Sequence, residues 1–306
     1  MILSDLAQIE PRVLAWLVSD EAKMNMIRSG KSIYQVHAEQ TMNWTRGDMK
    51  ALIKGGDLEA KYMYALAKAR ELGLGFGAGW EKFISMAMTL AGLDITVDDP
   101  EFIQAVSDEG SPCFDAAGKP IMVSGYGYNS KRIVAEYRAQ NPLIASKDPA
   151  CPGIWKRLDD GFRNSVGGDF EIELPSGRSL RYPEVKRERK AVADPDNPKK
   201  SSHRLVFTAL AFDQKRNAVI RKSFYGGLLT ENAVQATARD VFGEHLLTLD
   251  QTPGIDVLFS SHDEAITEVD QNITKKDIEE VMSKAPEWMP GLPVGAEAQE
   301  VPHYKK

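Results

Sequence analysis

The period of the apolar residues changes once along this chain, and that change restricts the fold more than any single residue does. Between residues 20 and 140 apolar positions recur at helical spacing, broken by Gly55-Gly56, by a glycine-rich stretch at 73–79 and by Asp98-Asp99-Pro100. Near residue 168 the pattern turns to strict alternation. Phe170-Glu171-Ile172-Glu173-Leu174 puts every second side chain on one face, Pro175-Ser176-Gly177-Arg178 turns, and 179–182 resumes as a strand. A short strand at 1–4 precedes the helical stretch, and Ile9, Val13 and Leu17 start a helical period behind it. Pro11 suits the first turn of that helix, where its missing N–H has no partner to lose. The same reading predicts a hairpin over 118–129, a helix over 130–141 ended by Pro142, and strands at 204–212 and 218–224. It continues with a long helix over 228–249, strands at 256–260 and 265–269, a helix over 274–285 and a Pro/Gly-rich tail. The charge-dense stretch 186–203, which contains Asp194-Pro195-Asp196-Asn197-Pro198, reads as an exposed loop. The layout is α+β, a helical insertion within a small mixed domain.

A chain of 306 residues has enough material for one large or two modest cores. No apolar run is long enough to span a membrane, and the start of the chain has no basic or apolar targeting segment. Cys113 and Cys151 are too few for a disulfide framework or a thiolate metal site; they read as packing or loop residues of a protein in the reducing cytosol. The net charge of −6 argues against a nucleic-acid partner only if the charge is spread evenly, because carboxylates clustered around divalent cations coexist with a basic groove.

Three groups of residues carry chemistry. In 5–17, Asp5 ends a strand and Glu10 follows at the start of a helix; taken alone, Asp5 caps that helix and Glu10 faces its dipole. Ser261-His262-Asp263-Glu264 occupies the tip of a strand pair. Two adjacent acids in a tight turn make a solvated loop, yet Asp263 between apolar strands needs a partner, and a metal ion is one. Within 61–77, Lys61, Tyr64, Ala65, Lys68, Leu72 and Phe76 fall on about one 120° stripe of a helix, with Arg70 opposite. Two lysines and two rings suit a nucleoside triphosphate, cations to the phosphates and flat rings to the base; they equally suit a surface helix whose lysines reach to water. The glycines here lack the strand–turn–helix context of a P-loop or dinucleotide fingerprint.

In order and in type, these groups resemble the family A DNA polymerases, above all their bacteriophage branch. The stretch 5–17 looks like that family's first palm motif, and 261–264 looks like the second. Residues 68–77, ending Leu72-Gly73-Leu74-Gly75-Phe76-Gly77, look like the nucleotide-binding fingers helix. Leu174-Pro175-Ser176-Gly177-Arg178, Glu231-Asn232 to Gln235, and Ala285-Pro286-Glu287-Trp288 with Gly291-Leu292-Pro293 also resemble phage-branch segments. The resemblance implies a palm sheet built from 1–19 and 166–306, a large helical fingers insertion at 20–165, and no thumb or exonuclease. It implies template-directed DNA synthesis, with Asp5 and Asp263 bridging two Mg²⁺ ions and the Leu6 carbonyl and Glu264 as further ligands. Lys68 would contact the phosphates and serve as general acid, and Glu10 would crowd the ribose 2′ position. Gln8, Lys61 and Tyr64 would join the nucleotide site, and Tyr34 and Phe76 would bracket sugar and base with Leu72 beside them. Asn232, Gln235 and Arg239, on one helical face, and His262 would meet the DNA, the helix reading minor-groove acceptors that occur at every base pair.

Two positions depart from the family's pattern. Tyr64 stands where an arginine usually precedes the fingers lysine by four residues, and Lys61 on the same stripe is the nearest replacement cation. Phe76 stands where many relatives have tyrosine and cannot donate toward Glu10. In the family the thumb and any exonuclease precede the first motif, whereas four residues do here. The expectation is the C-terminal subunit or a fragment of a split polymerase in a bacterial host cytoplasm, with an N-terminal polypeptide supplying the thumb and possibly an exonuclease, acting on primer–template DNA and dNTP. A palm cut at this strand is expected to leave an unpaired strand edge. The basic stretch 186–190, with Lys199-Lys200 and His203-Arg204, reads as a grip on duplex phosphates or as a solvated loop. The competing reading is a catalytically silent DNA- or partner-binding remnant of the polymerase fold, which has no need of Asp5, Glu10, Lys68 and Asp263 together.

Overall fold

In the computed structural model, which describes residues 1–107, 111–194 and 197–304 (without the side chains of 192–202), the chain opens with strand β1 (Ile2–Leu6) and helices α1 (Ile9–Leu17) and α2 (Glu21–Arg28). Helices α3 (Ile33–Thr41), α4 (Met49–Lys54) and α5 (Leu58–Ala69) follow, then a π-helical turn (Arg70–Leu74) and α6 (Trp80–Ala91). Strands β2 (Phe102–Gln104) and β3 (Met122–Ser124) pair with each other, ahead of α7 (Tyr128–Gln140) and α8 (Pro142–Ala145). Helix α9 (Ile154–Asn164) precedes the hairpin β4 (Phe170–Glu173) and β5 (Ser179–Tyr182) and the three-stranded sheet β6 (Lys186–Asp194), β7 (Asn197–Asp213) and β8 (Ala218–Phe224). The chain ends with α10 (Gly226–Asp250), β9 (Ile255–Ser261), β10 (Glu264–Val269), α11 (Lys275–Met282) and β11 (Ala296–Glu300). No described helix is long and apolar enough to cross a membrane.

These elements form two compact units, Met1–Ile33 with Ser146–Lys306, and Tyr34–Ala145. The sequence divides at 19/20 and 165/166 instead; α2 and α9 account for the difference, since both pack in the first unit.

The first unit is organised on an antiparallel sheet in the order β11-β1-β10-β9. Strand β1 is therefore interior, and the edges of this sheet are β11 and β9. Burial explains its composition: Ile2, Leu3, Ser4 and Leu6 are all at most 4% exposed, on both faces, and Asp5 alone opens to solvent. Helices α10 and α11 pack against the sheet, with Ile278 and Met282 fully buried. A second core joins α9, the start of α10 and the β4–β8 strands around Phe162, Tyr182, Phe224 and Leu229. The approach is close enough that a Cβ on Gly226 would lie 2.0 Å from the Trp155 carbonyl oxygen, so only glycine opens α10 there.

The tail is not a tail. Residues 285–295 form a strap: Arg12 Nη1 donates to the Pro293 carbonyl at 2.7 Å, Trp16 Nε1 to that of Pro290 at 3.0 Å, and Met289 and Leu292 are buried. The strap delivers β11 to β1. Its proline and glycine density reads locally as loop, and Ala296-Glu297-Ala298-Gln299-Glu300 is poor in strand-forming side chains. The expected loop at 186–203 is also corrected: β6 and β7 pair antiparallel, with Lys190 opposite Arg204, and Pro195 and Asp196 lie outside the described residues. Charge density there marked solvent exposure, not absence of a ladder. Strand β3 pairs with β2 rather than closing a hairpin within 118–129.

The second unit packs α5, α6 and α7 around Leu66, Leu74, Phe83 and Tyr137. Aspartates start two of its helices: Asp48 accepts from the Lys50 and Ala51 N–H groups ahead of α4, and Asp57 from Ala60 ahead of α5. Gly77, at φ 78°, takes the left-handed conformation just beyond the π-helical turn.

Candidate active site

The strand-to-helix turn after β1 is fastened from three sides. Leu6 N–H donates to the Asp263 carbonyl at 3.3 Å and Ala7 N–H to that of Gly295 at 2.8 Å. Gln8 adopts a left-handed conformation at φ 56°, and its side-chain oxygen accepts from Ile33 N–H at 3.2 Å. Opposite, β9 and β10 are joined by a two-residue loop in which His262 sits at φ 57°, a conformation that glycine adopts freely and a histidine does not. Asp5 pairs in register with Glu264 on β10 and with Glu297 on β11. Cross-strand neighbours share a face, so three carboxylates stand side by side, with Asp263 at the loop tip hydrogen-bonded to Asp5. They line a cleft of about 540 Å³ with Ser261, His262 and Gln299. Burial first, then the charges of Asp263, Glu264 and Glu297 and the hydrogen bond to Asp263, push the Asp5 carboxyl up to about 7.

Helix α10 runs a polar face past this cleft. Gln235 hydrogen-bonds Glu10, Arg239 Nη1 donates to the His262 carbonyl at 3.3 Å, and Asn232 Nδ2 donates to the Tyr182 hydroxyl at 3.0 Å. Burial raises the Glu10 carboxyl, Glu231 and Asp263 raise it further, and the Gln235 hydrogen bond opposes them.

In the second unit, Lys61, Tyr64, Ala65 and Lys68 of α5 line a cleft of about 530 Å³ together with Lys50, Ile53 and Lys54 and with Leu90 and Ala91 at the end of α6. No ammonium group of these four lysines makes an ion pair or hydrogen bond among the described residues, so the cleft presents uncompensated positive charge. Tyr34 packs edge-on against Tyr64, ring centroids 5.4 Å apart. Arg70 does not line this cleft; it is 3% exposed, and its Nη2 donates to Gln140 Oε1 at 3.1 Å. Burial lowers its pKa.

No family model matches the chain. It is 29% identical, over 308 residues, to the DNA polymerase of Bacillus phage SP02, a match that covers 99% of this chain and 41% of that protein. A solved structure, the POL domain of Pol1 from M. smegmatis in complex with DNA primer-template and dNTP, shares the fold. The TM-score is 0.51 over 97% of this chain and 38% of that one, at 14% identity. Both comparisons support a family A-like polymerase relationship for this chain. It spans less than half the length of its phage relative.

The sequence-predicted residues separate into two sets. Asp5, Leu6, Gln8, Glu10, Asn232, Gln235, Arg239, His262, Asp263 and Glu264 gather in the first unit, and Tyr34, Lys61, Tyr64 and Lys68 in the second. Leu72 and Phe76 leave the stripe: the π-helical turn resets the helical phase after Ala69, Leu72 is half-buried, and Phe76 is 8% exposed. Three candidates were missed. Lys50 and Lys54, four apart on α4, carried a same-face signal, whereas Glu297 carried none until β11 found its register. Among the described residues no three His, Cys, Asp or Glu side chains form a ready-made metal cage. The donor chemistry nevertheless fits Mg²⁺, which takes one or two carboxylates and completes its shell with water and substrate phosphates; the Asp5–Asp263 contact supplies two hard carboxylates whose mutual repulsion a cation relieves.

Proposed function

We propose that this chain carries the deoxynucleotidyl-transfer site of a template-directed DNA polymerase. The observation that supports the reading most is the contact of Asp5 and Asp263 at the end of an interior strand and the tip of its neighbouring hairpin. Asp5 and Asp263, with Glu264 and the Leu6 carbonyl beside them, would hold two Mg²⁺ ions. When bound, these ions make a primer 3′-hydroxyl more acidic and offset the charge of the triphosphate and the leaving pyrophosphate. Glu10, held by Gln235, would exclude a ribose 2′-hydroxyl. Lys68 and Lys61 would bind phosphates, Lys68 would supply the leaving-group proton, and Tyr64, braced by Tyr34, would offer a ring to the base or sugar. Asn232, Gln235, Arg239 and His262 lie on the face of α10 and the hairpin where duplex DNA would pass. The exposed Lys186, Arg187, Arg189, Lys190, His203 and Arg204 of β6 and β7 would grip its phosphates. The thumb and any exonuclease would come from polypeptide outside these 306 residues.

Asp5→Ala and Asp263→Ala test the reading. Each should abolish primer extension, by orders of magnitude, because one lost ligand disorders both ions. Thermal unfolding should change little, since each removal relieves a like-charge contact. Near-normal extension by either variant refutes the assignment; wild-type chain that binds primer–template but never extends it, in any complex, supports a silent remnant instead.

A further inference from the structure

The π-helical turn that follows Lys68 holds a buried ion pair. In a regular α-helix Glu71, three residues on, would share the face of that lysine. Here Glu71 is 2% exposed, and its Oε1 lies 2.6 Å from Nδ1 of His37 on α3, which is fully buried. On the other side of the ring, Nε2 lies 3.0 Å from Thr41 Oγ1, and that hydroxyl gives its one proton to the His37 carbonyl at 2.8 Å. The close approach of Nδ1 to Oε1 is at ion-pair distance, an imidazolium against a carboxylate when His37 is protonated. The Tyr137 ring lies 5.7 Å from the imidazole, and Arg70 adds a second positive charge next to Glu71.

A charge pair at this depth is a poor source of stability, because well-packed apolar side chains of similar volume hold an interior as well or better. What it supplies is position, since a buried charge moved away from its partner is left uncompensated. The π-helical turn, a form that concentrates at functional sites, is the segment it holds.

We propose that His37 and Glu71 are positioning residues: their bond fixes the π-helical turn and so the direction in which the last turn of α5 presents Lys68 and Tyr64 to the lysine cleft. The proposal rests on the reading of that cleft as the nucleotide phosphate site. Neither residue touches the nucleotide; both act through α5.

The test is the affinity of the full chain for dTTP, by isothermal titration calorimetry, alongside thermal unfolding. The double variant His37→Leu/Glu71→Leu should unfold at or above the parent's temperature yet bind dTTP about fivefold more weakly or worse. Glu71→Gln, which keeps a polar oxygen against His37 Nδ1, should bind close to the parent, whereas Glu71→Met should not. Lys68→Ala is the control. No dTTP binding by the parent, or unchanged affinity in Lys68→Ala, overturns the reading of the cleft itself. Weakened binding in Lys68→Ala with parental binding by the folded double variant overturns the positioning role alone. Should the double variant fail to fold, equal affinities for Glu71→Gln and Glu71→Met overturn it.

Discussion

Glu10 and Gln235 enter the sequence in separate roles, one for the nucleotide and one for the DNA, and the fold makes them partners. A carboxylate held by an amide from α10 is a fixed obstacle, which a proposed sugar gate has to be. Glu10→Ala should raise the ratio of ribonucleotide to deoxynucleotide incorporation by about tenfold or more, the worth of one close contact in a pocket. An unchanged ratio in competition assays removes the gate. Lys61 and Arg70 differ in the same concrete way. Lys61 lines the cleft and Arg70 is buried against Gln140. Lys61→Ala should raise the apparent KM for dNTP severalfold with little change in unfolding temperature. Arg70→Ala should instead destabilise the helical unit by about 2–3 kcal/mol, because it strips a buried charged donor from its acceptor. Reversed effects would show that the stripe is misread.

At the scale of elements, the strap at 285–295 decides the most. It carries β11 to the sheet, encloses β1, and adds Glu297 to the carboxylate row. Its upstream end is tied to α10, where His245 Nε2 donates to the Lys284 carbonyl at 2.8 Å. Burial holds the His245 imidazole below its ordinary value of 6.5, against the opposing effects of that hydrogen bond and of Glu244. The unfolded chain therefore binds this proton more readily than the native one. The contribution to stability is complete above the unfolded value and is lost as the pH falls below it. Between about pH 7 and pH 5 the parent should lose unfolding temperature relative to His245→Gln, over a range in which protonation of Asp5 acts in the opposite sense. An identical pH profile in the variant would place the acid sensitivity elsewhere.

For the whole molecule, two units each with its own core, in a chain that spans 41% of its phage relative, motivate the proposed dependence on further polypeptide. Alone, the chain should bind primer–template weakly, with log K falling against log salt by about 0.9 per phosphate contacted, and should extend primers little. Mixed with a thumb-bearing polypeptide it should form a stoichiometric complex with Mg²⁺-dependent extension. Full processive extension by the chain alone would overturn the dependence and leave the polymerase reading intact.

What the sequence determined by itself is local: the change of period near 168, the strand–turn–helix at Asp5, the hairpin tip at Asp263, and the 25-residue α10 with Asn232, Gln235 and Arg239 on one face. Period and turn chemistry report the backbone within a few residues, and these features need nothing more. Only the tertiary structure decided the place of β11, the fourth carboxylate at Glu297, and the π-helical turn that takes Leu72 and Phe76 off their stripe. Strand register between the two ends of a chain is set by packing, here by Arg12 and Trp16 holding the strap, and a weak strand former such as 296–300 has no local signal to announce it. The helical phase likewise changes at the turn that carries Glu71, whose buried partner His37 lies on a different helix, so no local pattern announces it.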